Sequence, residues 1–269
     1  MREIKVRTSQ RPRPLPPGRW AMTQRWNDLL FAHWPMPAAQ VAALLPQGLQ
    51  VDQFDGAAWL GVVPFWMDRI KLRGVPTVPG TRSFPELNLR TYVREPKTGM
   101  QGVYFFSLDA ANPLAVAVAR TFYHLPYHWA EMRLKQHSER EFDFYSRRRL
   151  ASQPVIFKAR YKGLGPSRRL AESRPGSLEY FLTERYWLFS SNGAGDLMRA
   201  TIHHIPWPLE DARAEIVRND LAEAVGLHLP NEAPVLHYSR RLAVYIWPAE
   251  LVRPALAARR TPAVVAPSG

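Results

Sequence analysis

The chain has 269 residues, of which 46% are hydrophobic and 22% charged, enough apolar material for one large core or two small ones. It contains no cysteine, so disulfides, thiolate catalysis and cysteine metal sites are excluded. The net charge of +13 raises a polyanion partner, and an aromatic content of 12% suits either a large core or a ring-walled ligand cavity.

Residues 1–20 combine Arg2, Lys5, Arg7, Arg11, Arg13 and Arg19 with Pro12, Pro14, Pro16 and Pro17, a pattern that excludes helix and regular sheet. They read as a flexible basic arm. No apolar leader and no run of about 18 apolar residues is visible, so a cytoplasmic protein without a membrane span is expected. Beyond the arm the dense basic groups are Arg147-Arg148-Arg149 and Arg259-Arg260. The charge is otherwise scattered arginine, a weak case for a nucleic-acid partner.

Met36 to Leu45, with Pro37 at a first helical position, reads as a short helix ended by Pro46-Gln47-Gly48. Leu49 to Phe54 alternates like a half-buried strand, turns at Asp55-Gly56 and continues as a strand from Ala57 to Met67, a plausible hairpin. Glu86 to Glu95 and Gly102 to Leu108 form a second pair around Pro96-Lys97-Thr98-Gly99. Asn112-Pro113 supplies an N-cap and a first-turn proline for a helix from Leu114 to about Phe122. Glu141 to Arg149, Pro154 to Lys162, Ser177 to Phe189, Leu197 to Ile205 and Val235 to Trp247 fit strands. An amphipathic helix is expected from Leu209 to Val225, ending at Gly226. Residues 254–269, with Pro254, Pro262 and Pro267, form a flexible tail. The expectation is one mainly β domain of the α+β kind over residues 21–253, an antiparallel, partly closed barrel of nine or ten strands with about three helices. An exposed strand edge leaves a homodimer open.

Four segments carry a family resemblance. They are Leu49 to Phe65, Phe84 to Val93 (Phe-Pro-Glu-Leu-Asn-Leu-Arg-Thr-Tyr-Val), Gly102 to Asp109, and Phe181 to Tyr186 (Phe-Leu-Thr-Glu-Arg-Tyr). In this order they resemble the bacterial YqjF-like proteins, a family of unknown function, across about residues 22–248. A more distant resemblance lies in Ala119-Arg120-Thr121-Phe122-Tyr123-His124-Leu125-Pro126-Tyr127-His128-Trp129-Ala130. This is similar to the acetoacetate decarboxylase segment Gly-Arg-Glu-x-x-Gly-Phe-Pro-Lys-Lys-x-Ala. The resemblance implies an acetoacetate-decarboxylase-like, cone-shaped β-barrel with a central, partly apolar cavity. It also implies that the two lysines, one of which forms the Schiff base, are replaced by Tyr127 and His128, and that Thr121 stands in place of the glutamate. A phenol forms no imine, so Schiff-base decarboxylation is not expected. A distant lysine such as Lys135 would need a different geometry.

Arg120 matches the motif's arginine and could hold a carboxylate, or could pair structurally with Glu86 or Glu184. On an extended strand Glu86, Asn88 and Arg90 share one face and Leu87 and Leu89 the other. That polar row faces either solvent or a barrel interior. Tyr127 could donate to a ligand oxygen and His128 could move a proton near neutral pH; the alternative is a packed phenol and a solvated imidazole. His124 is a weaker candidate. Glu184 and Arg185 point to opposite faces of an expected aromatic strand, as ligand contacts or an interior ion pair. His203-His204 diverge on a strand and do not suggest a metal site, and no dinucleotide, P-loop or nucleophile-elbow motif is present, so neither metal nor cofactor is expected. The leading reading is binding of a small, mostly apolar carboxylate or carbonyl compound. The alternatives are a non-imine lyase, hydratase or isomerase using Tyr127 and His128, and a polyanion- or protein-interaction module acting through the arm.

Overall fold

Strand β4 (Ser83–Glu95) is buried without interruption from Glu86 to Val93, and both of its faces meet protein. The same holds for Asn27 to Trp34 of β1 (Met22–Met36) and Ala58 to Phe65 of β3 (Ala58–Leu72). β1 and β3 fill both faces with apolar residues at consecutive positions, Leu29 to Ala32 and Ala58 to Phe65, whereas β4 alternates Leu87 and Leu89 with the buried polar residues Glu86, Asn88 and Arg90.

The computed structural model describes residues 8–74, 83–167, 174–192 and 194–252. The remaining elements, in order, are α1 (Ala38–Ala42), β2 (Gln50–Val51), β5 (Met100–Ala110), α2 (Pro113–Tyr123), β6 (Tyr127–Ser138), β7 (Glu141–Arg148) and β8 (Ile156–Gly163). They continue with α3 (Leu178–Thr183), β9 (Trp187–Ser191), β10 (Leu197–His203), β11 (Leu209–Asn219), a 3₁₀ turn at Glu223–Val225, β12 (Val235–Ile246) and β13 (Glu250–Leu251). No helix among the described residues is long and apolar enough to cross a membrane. The first seven residues and the expected tail lie outside the described residues.

All the described strands belong to one sheet that closes on itself twice. A nine-strand ring runs β5-β6-β7-β8-β11-β12-β1-β3-β4 and back to β5. A second ring shares β12, β1, β3, β4 and β5 and is completed by β9 and β10, through Ile202↔Ile246 and His203↔Tyr245. Pairing is antiparallel except at β5–β6 and β5–β9, which are parallel. The nine-strand ring is filled with side chains: Leu30, Val62, Leu87 and Leu89 of the shared wall meet Phe142, Phe144, Phe157 and Tyr161. The other face of the same wall sends Leu29, Phe31, Val63, Phe65 and Val244 into the second ring.

The barrel with three helices matches the expected class, but several elements differ. Residues 209–219 are strand, because Ala212, Ala214 and Ile216 alternate inward against Arg213, Glu215 and Val217 outward, a period of two. From the expected helix only the 3₁₀ turn at Glu223–Val225 and the Gly226 stop, at φ 78°, survive. The expected strand from Ser177 begins instead as α3, where the Ser177 hydroxyl accepts from Tyr180 N at 3.2 Å and Leu178, Phe181 and Leu182 share a helical face. The hairpin around Asp55-Gly56 shrinks to the single bridge Phe54↔Ala57, and β2 pairs with β4. The expected helix at Met36–Leu45 is only the short α1. Within residues 8–20, Gln10 donates to His204 O at 2.9 Å and Arg11 to Ile202 O at 2.6 Å, with the Arg11 guanidinium 4.5 Å from the Tyr186 ring centroid.

Candidate functional site

The second ring is hollow. Its cavity has a volume of about 380 Å³ and is lined by residues from each of its seven strands, with α2 and Tyr127 along one side. The polar row read from the sequence lies inside it. The period of two sends Leu87 and Leu89 into the packed ring and leaves Glu86, Asn88 and Arg90 lining the cavity, each 9% exposed or less.

α2 covers the cavity because its start is well made. The Asn112 side chain accepts from Leu114 N at 3.0 Å and Ala115 N at 3.1 Å, and Pro113 occupies the first turn. Ala115, Val118, Ala119 and Tyr123 then face the cavity. His124 ends the helix in the left-handed conformation, φ 50°, and does not line the cavity. Pro126 leads into β6, whose first residue, Tyr127, projects into the cavity and donates a 2.7 Å hydrogen bond to Glu86 Oε2. Burial pushes the Glu86 carboxyl up to about 7, against the opposing hydrogen bonds from Tyr127 and Asn88. Burial and the neighbouring Glu86 push the Tyr127 phenol well above its ordinary value. Near neutral pH the pair therefore holds a phenolic proton beside a carboxyl group poised between its two forms.

Two guanidinium groups line the deep end, and they differ. Arg185 is committed: it donates to Asp52 Oδ2 at 2.6 Å and to Phe181 O at 2.7 Å, and stacks 4.3 Å from the Phe181 ring centroid. Arg90 makes only long hydrogen bonds, 3.4 Å to Tyr92 Oη and to Leu182 O, lies 5.5 Å from the Phe31 ring centroid, and its buried Nε has no hydrogen-bond partner among the described residues. Asn88 Oδ1 is likewise buried without a partner there. Native proteins rarely leave such atoms unsatisfied, and sites that receive a ligand are one place where they do. Gly61 of β3 makes room for this corner: a Cβ there would lie 2.9 Å from His33 Cδ2 and 3.5 Å from Arg90 Cγ. Tyr92 Oη donates to Leu182 O at 2.8 Å and lies 2.6 Å from His33 Nε2, so the His33 proton belongs on Nε2.

The other candidates lie elsewhere. Arg120 is exposed and does not line the cavity; its Nε donates to Tyr127 O at 2.7 Å, so it fixes the backbone behind the phenol without an ion pair to Glu86 or Glu184. His128 does not line the cavity either, because neighbouring strand residues diverge. Burial, with the charges of Arg148 and Arg120, pulls its imidazole down to about 4. Glu184 braces the floor by accepting from Tyr186 Oη and from Trp207 N at 3.0 Å. His204 lines the cavity, stacked 4.7 Å from Tyr186, while His203 meets Arg11 at 3.4 Å. No group of three or more metal-ligating side chains occurs among the described residues. No lysine among the described residues lines the cavity, and Lys135 is exposed on β6.

Sequence reading missed His33, Tyr92, Gly61 and Trp207. The one usable signal was His33, a polar residue inside the apolar run from Leu29 to Trp34. It also missed the ion pair behind the site, Arg148 Nε to Asp109 Oδ1 at 2.8 Å, whose members come from strands paired through β6.

A family model described as uncharacterized conserved protein, DUF2071, matches residues 23–243. The chain is 42% identical over 242 residues to the uncharacterized protein YqjF of Bacillus subtilis strain 168, covering 90% of this chain and 97% of that one. Its fold is similar to that of acetoacetate decarboxylase from Legionella pneumophila, with a TM-score of 0.59 and 13% identity over 94% of this chain and 96% of that one. It is also similar to the enduracididine biosynthesis enzyme MppR complexed with pyruvate, with a TM-score of 0.61 and 12% identity over 90% and 93%. An acetoacetate decarboxylase-like enzyme from Sphingomonas wittichii RW1 matches with a TM-score of 0.60 and 13% identity over 89% and 97%. At these identities the likeness is one of fold.

Proposed function

We propose, from the premise that this chain belongs to the DUF2071 family of uncharacterized conserved proteins and has the acetoacetate-decarboxylase-like fold, that it binds a small, mostly apolar molecule bearing a carboxylate or carbonyl group. The observation that carries this reading is the face of β4 inside the second ring. Glu86, Asn88 and Arg90 form a polar row in a chamber whose wall is mostly apolar, and two of them keep an unpartnered polar atom. An apolar pocket with a few convergent polar groups is the usual form of a small-molecule site. Arg90 would take the anion or carbonyl oxygen, and Tyr127 with Glu86 would meet a second oxygen. MppR, of the same fold, holds pyruvate in its structure, which supports a small acid as ligand class. The absence of lysine from the described cavity wall supports a mode without an imine.

The test is a thermal-shift screen at fixed salt with 2-oxo acids, β-keto acids and short- and medium-chain carboxylates. A ligand at 100 times its dissociation constant stabilises the native state by about 2.7 kcal/mol. The shift should disappear in Arg90→Gln and survive in Arg120→Ala. A shift unchanged by Arg90→Gln and by Tyr127→Phe would move the ligand out of this cavity.

Acid–base chemistry without an imine is a second reading, favoured by one observation: the Glu86 carboxyl, at about 7, touches the Tyr127 phenol. The pair that could share a proton with a ligand is then Tyr127 with Glu86 in place of Tyr127 with His128. Turnover lost in Glu86→Gln while the ligand still binds would support it; turnover kept in that variant would remove it.

A further inference from the structure

We propose that the ligand is a medium-chain hydroxycarboxylic acid of about eight to ten carbons, lying along β4 with its carboxylate inward and its chain directed to the mouth. This rests on the binding reading above and narrows it to a shape, a polarity and a direction.

The cavity is graded along one strand face. Phe84, Glu86, Asn88 and Arg90 follow one another at two-residue steps, so the backbone positions at the two ends of the row are about 20 Å apart. The Phe84 end is the mouth. There Met22 pairs with Leu72 at the ends of β1 and β3, Ile70 is half-buried, and Leu114 of α2 is 50% exposed. Aliphatic and thioether side chains of this kind adapt to a flexible chain. A charged head at that end would have no buried partner, whereas the deep end offers Arg90, buried and under-used. The direction follows from the cost of burying a charge without one.

The size follows from the volume. About 380 Å³, against roughly 30 Å³ per water-sized group, admits about a dozen non-hydrogen atoms. That is far more than a two- or three-carbon acid needs. The hydroxyl follows from the two unsatisfied atoms. Arg90 Nε is a donor and Asn88 Oδ1 an acceptor, adjacent on one face. A plain carboxylate answers the first and leaves the second; a carboxylate with a nearby hydroxyl answers both.

The experiment is isothermal titration calorimetry on the full chain with 3-hydroxybutyrate, 3-hydroxyoctanoate, 3-hydroxydecanoate and decanoate, all below their micelle concentrations, with pyruvate as the short-acid control. Each added methylene should tighten binding, by at most about fourfold, until the chain reaches the mouth. Decanoate should bind about tenfold more weakly than its hydroxy counterpart. Leu114→Trp, at a half-exposed position where folding is not at stake, should erase much of the chain-length gain and leave 3-hydroxybutyrate unchanged. Equal affinity for 3-hydroxybutyrate and 3-hydroxydecanoate would overturn the inference, as would equal affinity for decanoate and 3-hydroxydecanoate. If pyruvate binds through Arg90 while the series is flat, this inference falls and the broader binding reading stands. Silence from every acid, pyruvate included, would remove both.

Discussion

Tyr127 Oη donates to Glu86 Oε2 at 2.7 Å over the intervening strand β5, although the two residues are 41 positions apart in sequence. The bond ties the start of β6 to the first part of β4 and opposes the burial that raises the Glu86 carboxyl from 4.5 to about 7. The sign of the resulting pH dependence follows. Below about pH 4.5 the carboxyl is protonated in both the folded and the unfolded chain. Between there and about 7 the folded chain keeps a proton that the unfolded chain has released, so stability falls as pH rises, by up to about 3 kcal/mol. Above about 7 this contribution is flat. Urea melts of wild type and Glu86→Gln from pH 4 to 8 should diverge over that window, the variant being the more stable at pH 8. Parallel curves would mean that Glu86 is ionised in the fold. Tyr127→Phe removes a bond that favours the carboxylate, so the carboxyl resonance of Glu86 should titrate at higher pH in that variant.

The pair Arg148 and Asp109 should be worth far more to break than to replace. Both are buried, Arg148 also donates to Ser107 Oγ at 2.5 Å, and burial raises the Asp109 carboxyl to about 6 despite the guanidinium beside it. Removing one partner leaves the other in a low-dielectric interior. Arg148→Met should cost about 3–5 kcal/mol near neutral pH, and adding Asp109→Leu should restore a good part of it. Additive losses in the double-mutant cycle would show the two side chains to be energetically independent.

The arm should contribute measurably through Arg11. Arg11 lies over the Tyr186 ring at 4.5 Å and donates to Ile202 O at 2.6 Å, and burial lowers its guanidinium to about 10. Arg11→Met keeps most of the aliphatic stem and loses both interactions, an expected cost of about 2 kcal/mol in chemical denaturation. Arg13→Met, at an exposed position, should cost less than about 0.5 kcal/mol. Equal effects would detach Arg11 from the fold's stability.

Much of the barrel was legible where one face alternates. Phe142 and Phe144 of β7, and the split of β4 into Leu87 and Leu89 against Glu86, Asn88 and Arg90, follow from a period of two. The shared wall was harder. β1 is buried on both faces from Asn27 to Trp34, so it has no alternation to detect. Residues 209–225 misled because Leu209, Ala212, Ile216 and Val217 also satisfy a helical spacing, and only pairing with β8 and β12 selects strand. Within the site, the β4 row and Tyr127 were readable as residues. Their common destination depends on a second closure through β9 and β10, a long-range pairing that no local pattern encodes. His128 ends outside the cavity because it follows Tyr127 on a strand and points to the opposite face, and Arg120 because it lies on the exposed side of α2.

Gly61 should tolerate no side chain, and the reason can be assigned to one neighbour. A Cβ at this position would fall 2.9 Å from His33 Cδ2 and 3.0 Å from His33 Nε2, with Arg90 Cγ at 3.5 Å. His33 cannot swing aside: it is fully buried, bonded to Tyr92 Oη at 2.6 Å and stacked on Phe31. Overpacking against a fixed ring costs about 1–3 kcal/mol, so Gly61→Ala should lower the urea midpoint by that equivalent at an unchanged slope. In a His33→Ala background the same substitution should cost much less, because the ring it meets is gone. If Gly61→Ala is equally costly in both backgrounds, the His33 ring is not the source of the cost, and Arg90 Cγ at 3.5 Å is in ordinary contact and does not replace it.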